Sequence, residues 1–487
     1  MTRTMLLAGA ALALAAPAVA RAETACADMA QTKLNHAEVT SAKLEAVKGG
    51  QACRIAVRAH PTADSDIGIE VVIPVGSAWN GKYVQVGNGG LAGRIPEPAI
   101  KAQADRGYAV AGTDDGHAGN GRTAVWALHH PEKIVDFGHR AVKETTEASK
   151  QLIVAMKGEP AKRRYFVGCS LGGREALIEA QRYPDDFDGI VAGATANYNT
   201  LGYGGRAYMQ QVLARPGGYL GTEQLELLQA SALKQCGDGG AFIRDQLACH
   251  FDPAALKCKP GQSSGCLTGP QIASAKAIYG GRVVNGKVVF PGYEPGAEAI
   301  RGGWQAWNTG TEQSKWTESA GHAMGSQFMK YLVYDDPALD WLKMDAGAGY
   351  ERDRQKLSRI MDATDANLTP FEKHGGKLIQ YHGWNDPAIS PRGSIRYHDA
   401  VMAQTPGAAG FYRLYMIPGM LHCTGGAGPG TVDWLGELEA WVEQGKAPET
   451  VTASSPSGET QLLCPYPAVA RKSGDGWACS VAKTRKG

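Results

Sequence analysis

The sequence lacks a long interior apolar run, a basic cluster and a paired-cysteine motif. Outside the N-terminal leader, no stretch approaches the about 20 apolar residues that a membrane-spanning helix needs. The 50 lysines and arginines are spread through the chain and are balanced by 48 aspartates and glutamates. There is no C-x-x-C pair and no internal repeat. These absences argue against a membrane span, a nucleic-acid-binding surface and a zinc site, so we expect neither a membrane nor a nucleic-acid partner.

Residues 1–22 have the layout of a secretory signal peptide. The cationic start MTRT precedes the apolar run MLLAGAALALAAPAVA, which is too short and too rich in alanine to span a membrane. Small residues at Ala20 and Ala22 match a signal-peptidase site, and we expect cleavage after Ala22, with Ala20 as the alternative. The sequence therefore predicts a secreted or periplasmic protein.

All ten cysteines lie after this leader. An even number of cysteines in an exported chain predicts disulfide bonds. They are Cys26, Cys53, Cys169, Cys236, Cys249, Cys258, Cys266, Cys423, Cys464 and Cys479.

Short β-branched or aromatic runs alternate with helical patterns along much of the chain. This alternation predicts an α/β fold, with a mostly parallel sheet and helices on both faces. Strands are predicted at 67–74, 82–88, 107–113, 163–167, 188–194, 376–382 and 411–417, and helices at 140–157, 171–182 and 391–404.

The alternation breaks between residues 199 and 333. Four cysteines between 236 and 266, many glycines and three tryptophans (Trp304, Trp307 and Trp316) mark this segment. We interpret 199–333 as a lid inserted into a catalytic domain made of 23–198 and 334–487. The lid would cover the carboxyl ends of the strands, where open α/β sheets bind ligands. The alternative is an independent second domain.

The stretch "YFVGCSLGGRE" (165–175) contains a G-x-S-x-G turn between a predicted strand and a predicted helix. In that context the turn is a nucleophile elbow: Gly168 and Gly172 leave room for a tight bend that exposes the Ser170 hydroxyl. The amide of Leu171 then points at the developing oxyanion. The sequence predicts that Ser170 is a nucleophile.

On this fold an acid and a base follow the serine, each in a loop just past a strand. Asp386 follows the strand at 376–382, and His422 follows the strand at 411–417. The alternatives are an N-cap for Asp386 and a surface histidine for His422. His382 competes as the base, but it precedes the acid at a strand end, and we expect it to have a structural part.

Cys169 precedes the predicted nucleophile and Cys423 follows the predicted base. In an oxidising compartment we expect these two cysteines to bond and to hold the serine and histidine loops together; the alternative is two free buried cysteines. The chain-entropy model gives about 5 kcal/mol as an upper figure for a loop of this length.

This constellation resembles the tannase and feruloyl esterase family, which includes mono(2-hydroxyethyl) terephthalate hydrolases. The resemblance covers nearly the whole mature chain. It is carried by "VQVGNGGLAG" (84–93), "GTDDGH" (112–117), "GCSLGGREAL" (168–177), "YLVYDDP" (331–337), "HGWNDPAISP" (382–391) and "PGMLHC" (418–423).

The resemblance implies an α/β-hydrolase with a large lid after the nucleophile, which cleaves esters of aromatic acids. It implies Ser170 as nucleophile, His422 as base and Asp386 as acid. The oxyanion hole would combine Leu171 with a glycine of "GNGG", for which we favour Gly90 over Gly89. Sequence proximity and the family pattern suggest the pairs Cys26–Cys53, Cys236–Cys249, Cys258–Cys266 and Cys464–Cys479.

Many family members carry a calcium loop in the lid, rich in aspartates between two cysteines. The corresponding stretch here, "CGDGGAFIRDQLAC" (236–249), is short and keeps only Asp238 and Asp245 as acids. Calcium needs six to eight oxygen ligands. We therefore expect no metal and no cofactor.

We interpret the protein as a secreted serine esterase that acts on small aromatic esters of the feruloyl, galloyl or terephthalate type. Trp304 and Trp307 are candidates for stacking on the aromatic acid, with packing in the lid core as the alternative. The alternative functions are a catalytically silent hydrolase-fold binding protein and a peptidase with the same triad. The oligomeric state is left open.

Overall fold

The computed structural model describes residues 23–474 and 476–481. The predicted signal peptide lies outside the described residues. Among those described, no helix combines the length and the apolar character that crossing a membrane requires.

A nine-stranded sheet forms the centre of the molecule, in the order β1-β2-β3-β5-β4-β6-β7-β10-β11. The pairs from β5 to β11 are parallel, and β1, β2 and β3 form an antiparallel edge. The predicted α/β fold class is confirmed. The strands of this sheet are β1 Ala37–Val47, β2 Gly50–Ala59, β3 Ile67–Pro74, β4 Lys82–Val86, β5 Ala109–Thr113, β6 Arg163–Cys169, β7 Gly189–Gly193, β10 Lys377–Gly383 and β11 Tyr412–Ile417.

The other described strands form three two-stranded hairpins: β8 Arg282–Val284 with β9 Lys287–Phe290, β12 Val451–Ser454 with β13 Thr460–Leu463, and β14 Ala468–Ser473 with β15 Gly476–Val481. The described α-helices are α1 Glu97–Ala104, α2 Pro131–Val135, α3 Ala141–Lys157, α4 Leu171–Arg182, α5 Asn199–Leu213, α6 Thr222–Cys236, α7 Gly269–Gly280, α8 Ala320–Gln327, α9 Ala348–Asp353, α10 Gln355–Met361, α11 Thr369–His374, α12 Pro391–Gln404 and α13 Trp434–Gln444.

Helices cover both faces of the sheet. Successive residues of a strand point to opposite faces, so each strand packs against helices on both sides. Within β6, Phe166 packs into a core that contains residues of α3, α4 and α12, whereas its neighbour Tyr165 packs into a second core with residues of α1 and α13. Strands buried on both faces are typical of parallel sheets with crossover helices.

Residues 194–376 are inserted between β7 and β10, which are neighbours in the sheet. Within the described residues this segment contributes no strand to the central sheet, and it continues past residue 333, the predicted end of the lid. It has its own buried cluster, which runs from Met209 to Trp304. A further cluster packs Met324 and Phe328 of the insertion against Leu91 and Leu171 of the catalytic side. The insertion is thereby fixed over the carboxyl ends of the strands.

All five predicted cysteine pairs are present in the structure. Four of them join cysteines 8 to 27 residues apart. The fifth joins Cys169 to Cys423 across 254 residues.

Candidate active site

Ser170 occupies a sharp turn between β6 and α4. Its φ of +67° lies in the left-handed region, which is uncommon for a residue with a side chain. The turn needs glycine on both sides: a Cβ on Gly168 would lie 2.3 Å from the Gly172 carbonyl oxygen, and one on Gly172 would lie 2.9 Å from the Gly87 carbonyl carbon. The Ser170 amide donates to the Gly193 carbonyl at 3.0 Å, which holds the turn on the sheet.

His422, in the loop after β11, joins Ser170 to Asp386. Its Nε2 lies 2.9 Å from Ser170 Oγ, and its Nδ1 lies 2.7 Å from Asp386 Oδ2. Because a carboxylate only accepts hydrogen bonds, Nδ1 carries the hydrogen in this arrangement and Nε2 is left to accept the serine hydroxyl. This is the geometry of a general base with its orienting acid.

Asp386 lies between β10 and α12 and is almost completely buried. Its Oδ1 accepts the amides of Ala388 and Ile389, at 2.7 and 2.9 Å. Burial by itself raises the pKa of Asp386, but the charge of His422 and the hydrogen bonds from His382 and His422 outweigh it and hold that pKa below its ordinary value. The carboxylate is therefore ionised at neutral pH. It is not the N-cap of α12, which is Ser390.

His382, the competing candidate for the base, contacts Asp386 and not Ser170. It is completely buried, and its ring nitrogens meet Ser394, Asp386 and the Ile389 carbonyl. The sequence indicated a structural part for this histidine but not its contact with Asp386. Nothing in the local pattern signals that contact, apart from the four-residue spacing of the two side chains.

The disulfide between Cys169 and Cys423 joins the residue before Ser170 to the residue after His422. The two Cα atoms are 6.0 Å apart. Cys423 itself has a φ of +62°, so the histidine loop, like the serine turn, contains a residue in the left-handed region. The covalent link holds two turns whose backbones are both unusual.

The two glycine candidates for the oxyanion hole differ in their backbone conformation and in the space around them. Gly90 has a φ of +64°, and a Cβ there would lie 2.4 Å from the Gly121 carbonyl oxygen, whereas a Cβ on Gly89 would meet nothing within 4 Å. Among the described residues, the amides of Gly89, Gly90 and Leu171 donate no hydrogen bond. The choice between Gly89 and Gly90 therefore stays a prediction.

The loop that carries Gly90 is anchored to the nucleophile elbow through Asn88. The backbone carbonyl of Asn88 accepts a hydrogen bond from the Gly172 amide at 2.8 Å. The backbone amide of Asn88 donates to Glu175 Oε2 at 3.0 Å. Its side chain donates to the Thr113 carbonyl. Sequence reasoning missed these contacts of Asn88 and Glu175; the one signal was a glutamate on a helix whose other residues at this end are buried.

A cavity of about 970 Å³ opens onto Ser170 and His422 and also borders Gly89 and Gly90. Trp307 lines it, with its ring edge-on to His422 at a centroid distance of 5.1 Å. Trp304 does not line the cavity: it is buried in the core of the insertion against Tyr279. The structure therefore places only one of the two predicted stacking tryptophans beside the serine, and the other in the lid core.

Arginines dominate the charged lining of this cavity. It is bordered by Glu97, which pairs with Arg54 at 3.0 Å, and by four arginines. None of the four has a carboxylate partner within 4 Å in the described part of the chain. They are Arg94, Arg122, Arg206 and Arg396.

The lid loop between Cys236 and Cys249 does not fit a calcium ion. Asp238 is paired with Arg244, and Asp245 with Arg471. Within the described ranges, no group of three or more His, Cys, Asp or Glu residues is arranged to hold a metal ion. Arginine side chains thus form ion pairs with the two carboxylates that a calcium ion would need.

The parallel sheet, the strand–turn–helix around Ser170 and the insertion after it define the class of the α/β-hydrolases. A family model described as "Tannase and feruloyl esterase" matches residues 53–485. The chain belongs to this family and is a carboxylic ester hydrolase.

Relatives of known name agree with this membership. The chain is 34% identical to an uncharacterized esterase of Xanthomonas campestris, over 94% of this chain and 90% of the relative. It is 31% identical to the mono(2-hydroxyethyl) terephthalate hydrolase of Piscinibacter sakaiensis, over 82% of this chain and 78% of the relative. The structure of feruloyl esterase B from Aspergillus oryzae superposes with a TM-score of 0.84 at 25% identity, covering 93% of this chain and 99% of that one.

Proposed function

We propose that the protein hydrolyses esters of aromatic carboxylic acids through Ser170, His422 and Asp386. The observation that carries this proposal is the continuous hydrogen-bonded line from Ser170 Oγ to His422, at 2.9 Å, and from His422 to Asp386, at 2.7 Å. Ser170, at one end of this line, borders a cavity large enough for a small aromatic ester.

In the proposed reaction, Ser170 Oγ attacks the ester carbonyl carbon while His422 Nε2 takes the hydroxyl proton. The amides of Leu171 and Gly90 stabilise the negative charge on the carbonyl oxygen. The ester bond breaks, and the alcohol leaves with the proton held by His422. Water, activated by the same histidine, then attacks the acyl-enzyme and releases the acid.

The cavity lining supports a preference among aromatic esters. Trp307, Tyr203 and Phe290 supply aromatic surface, and the four arginines supply positive charge without paired carboxylates. We propose that esters whose acid carries a second, free carboxylate are preferred over neutral galloyl or feruloyl esters. A terephthalate monoester is such a substrate.

We also propose that the protein is exported and that its reaction needs no metal cofactor. Export is supported by the leader-like residues 1–22 and by the five disulfides, which persist in oxidising compartments. The absence of a metal requirement is supported by the arginines that pair with Asp238 and Asp245.

The test combines a covalent probe with a substrate panel. A fluorophosphonate should label the wild-type protein and not Ser170→Ala, and the variant should lose at least about a thousandfold in kcat. Galloyl, feruloyl and mono(2-hydroxyethyl) terephthalate esters, each with its amide analogue, are then compared by kcat/KM. Residual turnover of Ser170→Ala within tenfold of wild type excludes Ser170 as nucleophile, and faster cleavage of the amides than of the esters indicates a peptidase.

A further inference from the structure

A buried chain of polar side chains lies behind the triad acid. Tyr412 donates its hydroxyl to Gln380 Oε1, and Gln380 Nε2 lies 2.9 Å from Ser394 Oγ. Ser394 Oγ lies 2.7 Å from His382 Nδ1, and His382 Nε2 lies 3.1 Å from Asp386 Oδ2. All five side chains are buried. The helix and strands that carry them also contribute apolar residues to the surrounding core. Buried polar groups of this kind are stable only when each finds a partner.

The partners fix where each hydrogen lies. His382 Nε2 faces two acceptors, Asp386 Oδ2 and the Ile389 carbonyl at 3.2 Å, so it must carry the ring hydrogen. His382 Nδ1 then accepts the hydroxyl of Ser394, which itself accepts the Gln380 amide. Each group thus donates one hydrogen toward Asp386, and Gln380 Nε2 donates its other hydrogen to Thr195 Oγ1 at 2.8 Å. The other tautomer of His382 would set a ring lone pair against a carboxylate, so it is disfavoured.

Asp386 consequently accepts four hydrogen bonds. Oδ1 takes two backbone amides, and Oδ2 lies between two histidines, His422 at 2.7 Å and His382 at 3.1 Å. Tyr293 and Arg206 are the remaining titratable or charged groups at this loop. Both donate to the Ala388 carbonyl and not to the Asp386 carboxylate. Without His382, Oδ2 would be held by the catalytic histidine alone.

We propose that His382 is a positioning residue that acts through Asp386. Its Nε2–H keeps Oδ2 in line with His422 Nδ1 and withdraws part of the negative charge that His422 meets. This inference rests on the proposed function of the Ser170–His422–Asp386 site. It assigns to His382 a part in the rate of the reaction, not only in the packing of the strand end.

The test compares His382→Phe, which keeps a flat ring and removes both ring nitrogens, with the wild-type enzyme on one ester. A misaligned acid misplaces the base, so kcat should fall about tenfold with KM nearly unchanged. A more negative Oδ2 favours the protonated form of His422, so the acidic limb of the pH–rate profile should move to higher pH. His382→Gln, which keeps an N–H near the Nε2 position, should recover most of the lost kcat.

His398→Phe is the matched control, because His398 is also a buried histidine, lies on α12 and is bonded to Asp399 and not to the triad acid. It should change neither kcat nor the pH profile. A folded His382→Phe with wild-type kcat and an unmoved acidic limb overturns the proposal, and so does an equal effect of both variants.

If His382→Phe does not fold, Ser394→Ala decides the question, since it removes the hydroxyl that binds His382 Nδ1 and holds the ring against Asp386. It should lower kcat about threefold at constant KM, and unchanged kcat overturns the proposal. The two hypotheses fail separately: an active Ser170→Ala refutes the proposed triad, whereas an inactive Ser170→Ala beside a fully active His382→Phe refutes only the part assigned to His382.

Discussion

At the residue scale, three positions in the proposed active site have left-handed backbone conformations: Ser170, Cys423 and Gly90. Such conformations cost of order 1–3 kcal/mol for residues with a side chain, and they persist where the surrounding structure over-determines them. Here the glycine neighbours of Ser170 and the disulfide at Cys423 supply that constraint. Gly90 avoids the cost because it has no Cβ.

Gly90→Ala tests the oxyanion loop. A Cβ at this position would lie 2.4 Å from the Gly121 carbonyl oxygen, so the backbone must move and carry the Gly90 amide away from the oxyanion. Because removal of one oxyanion donor costs roughly a hundredfold in rate, we expect kcat to fall by about ten- to a hundredfold with a small change in KM. Steady-state kinetics on a soluble aromatic ester measure both constants.

The comparison variant is Gly89→Ala, whose Cβ would meet nothing within 4 Å. It should lose much less activity than Gly90→Ala. A larger loss in Gly89→Ala would assign the oxyanion donor to Gly89 instead.

At the element scale, the turn between β6 and α4 and the loop after β11 are linked by a single covalent bond. The Cys169–Cys423 bridge spans 254 residues, and the chain-entropy model assigns such a loop about 5 kcal/mol as an upper figure. The bridge also lies one residue from Ser170, the proposed nucleophile, and one residue from His422, the proposed base. Its position predicts an effect on rate in addition to an effect on stability.

The double variant Cys169→Ala/Cys423→Ala should lower both the melting temperature and kcat, the latter at least about tenfold well below the melting point. Serine and histidine must stay within about 3 Å of each other for proton transfer, and small misplacements have large effects on rate. Thermal melts and kinetics at low temperature separate the two effects. Full kcat in a variant that only melts earlier would mean that the bridge contributes stability alone.

Cys258→Ala/Cys266→Ala is the control, because that bridge closes only 8 residues within the insertion. The same entropy model gives it roughly half the stabilisation of the long bridge. It should lower the melting temperature less and leave kcat unchanged.

At the scale of the whole molecule, residues of the insertion and of the segments around it line one cavity beside Ser170. Arg94 and Arg122 come from loops of the catalytic domain before the nucleophile, Arg206 from α5, and Arg396 from α12. Segments far apart in the sequence thus place positive charge around one cavity. Unpaired charge around a cleft attracts a ligand of opposite sign and raises its rate of association.

Arg396→Ala tests this charge. Arg396 lies over the ring of Tyr198 at 4.8 Å and is exposed at the cavity, so its removal should disturb packing little. An exposed charge pair is worth up to about 1 kcal/mol, so KM for an ester with a free carboxylate should rise about threefold to fivefold. KM for the corresponding neutral methyl ester should not change.

The control Arg215→Ala removes an exposed arginine that does not border the cavity and should leave both KM values unchanged. Salt gives an independent measurement: kcat/KM for the charged ester should fall between about 0.05 and 0.5 M ionic strength, since screening lengths shorten. An equal salt response of the charged and neutral esters would argue against recognition of the second carboxylate.

Local sequence patterns were sufficient to predict most strands of the central sheet and three of the helices. The strands from β3 onward in the central sheet and the helices α3, α4 and α12 lie within a few residues of the predicted ranges, because apolar periodicity and flanking glycines are properties of short segments. The antiparallel strands β1 and β2 were not predicted. β1 alternates apolar and polar residues, but the alternation shifts by one residue between Val39 and Ser41, and none of its residues is fully buried.

The sequence by itself determined the fold class, the family and the three residues of the proposed triad, since each of the three follows a strand in an order typical of the fold. The tertiary structure determined which other side chains contact these residues and the loops that carry them. Trp304 and Trp307 are three residues apart, yet one packs in the insertion core and the other beside His422. The contacts of His382 with Asp386 and of Glu175 with Asn88 likewise depend on where separate segments meet. The physical reason is that hydrogen bonds and packing between distant segments are set by the folded backbone, and no local periodicity records them.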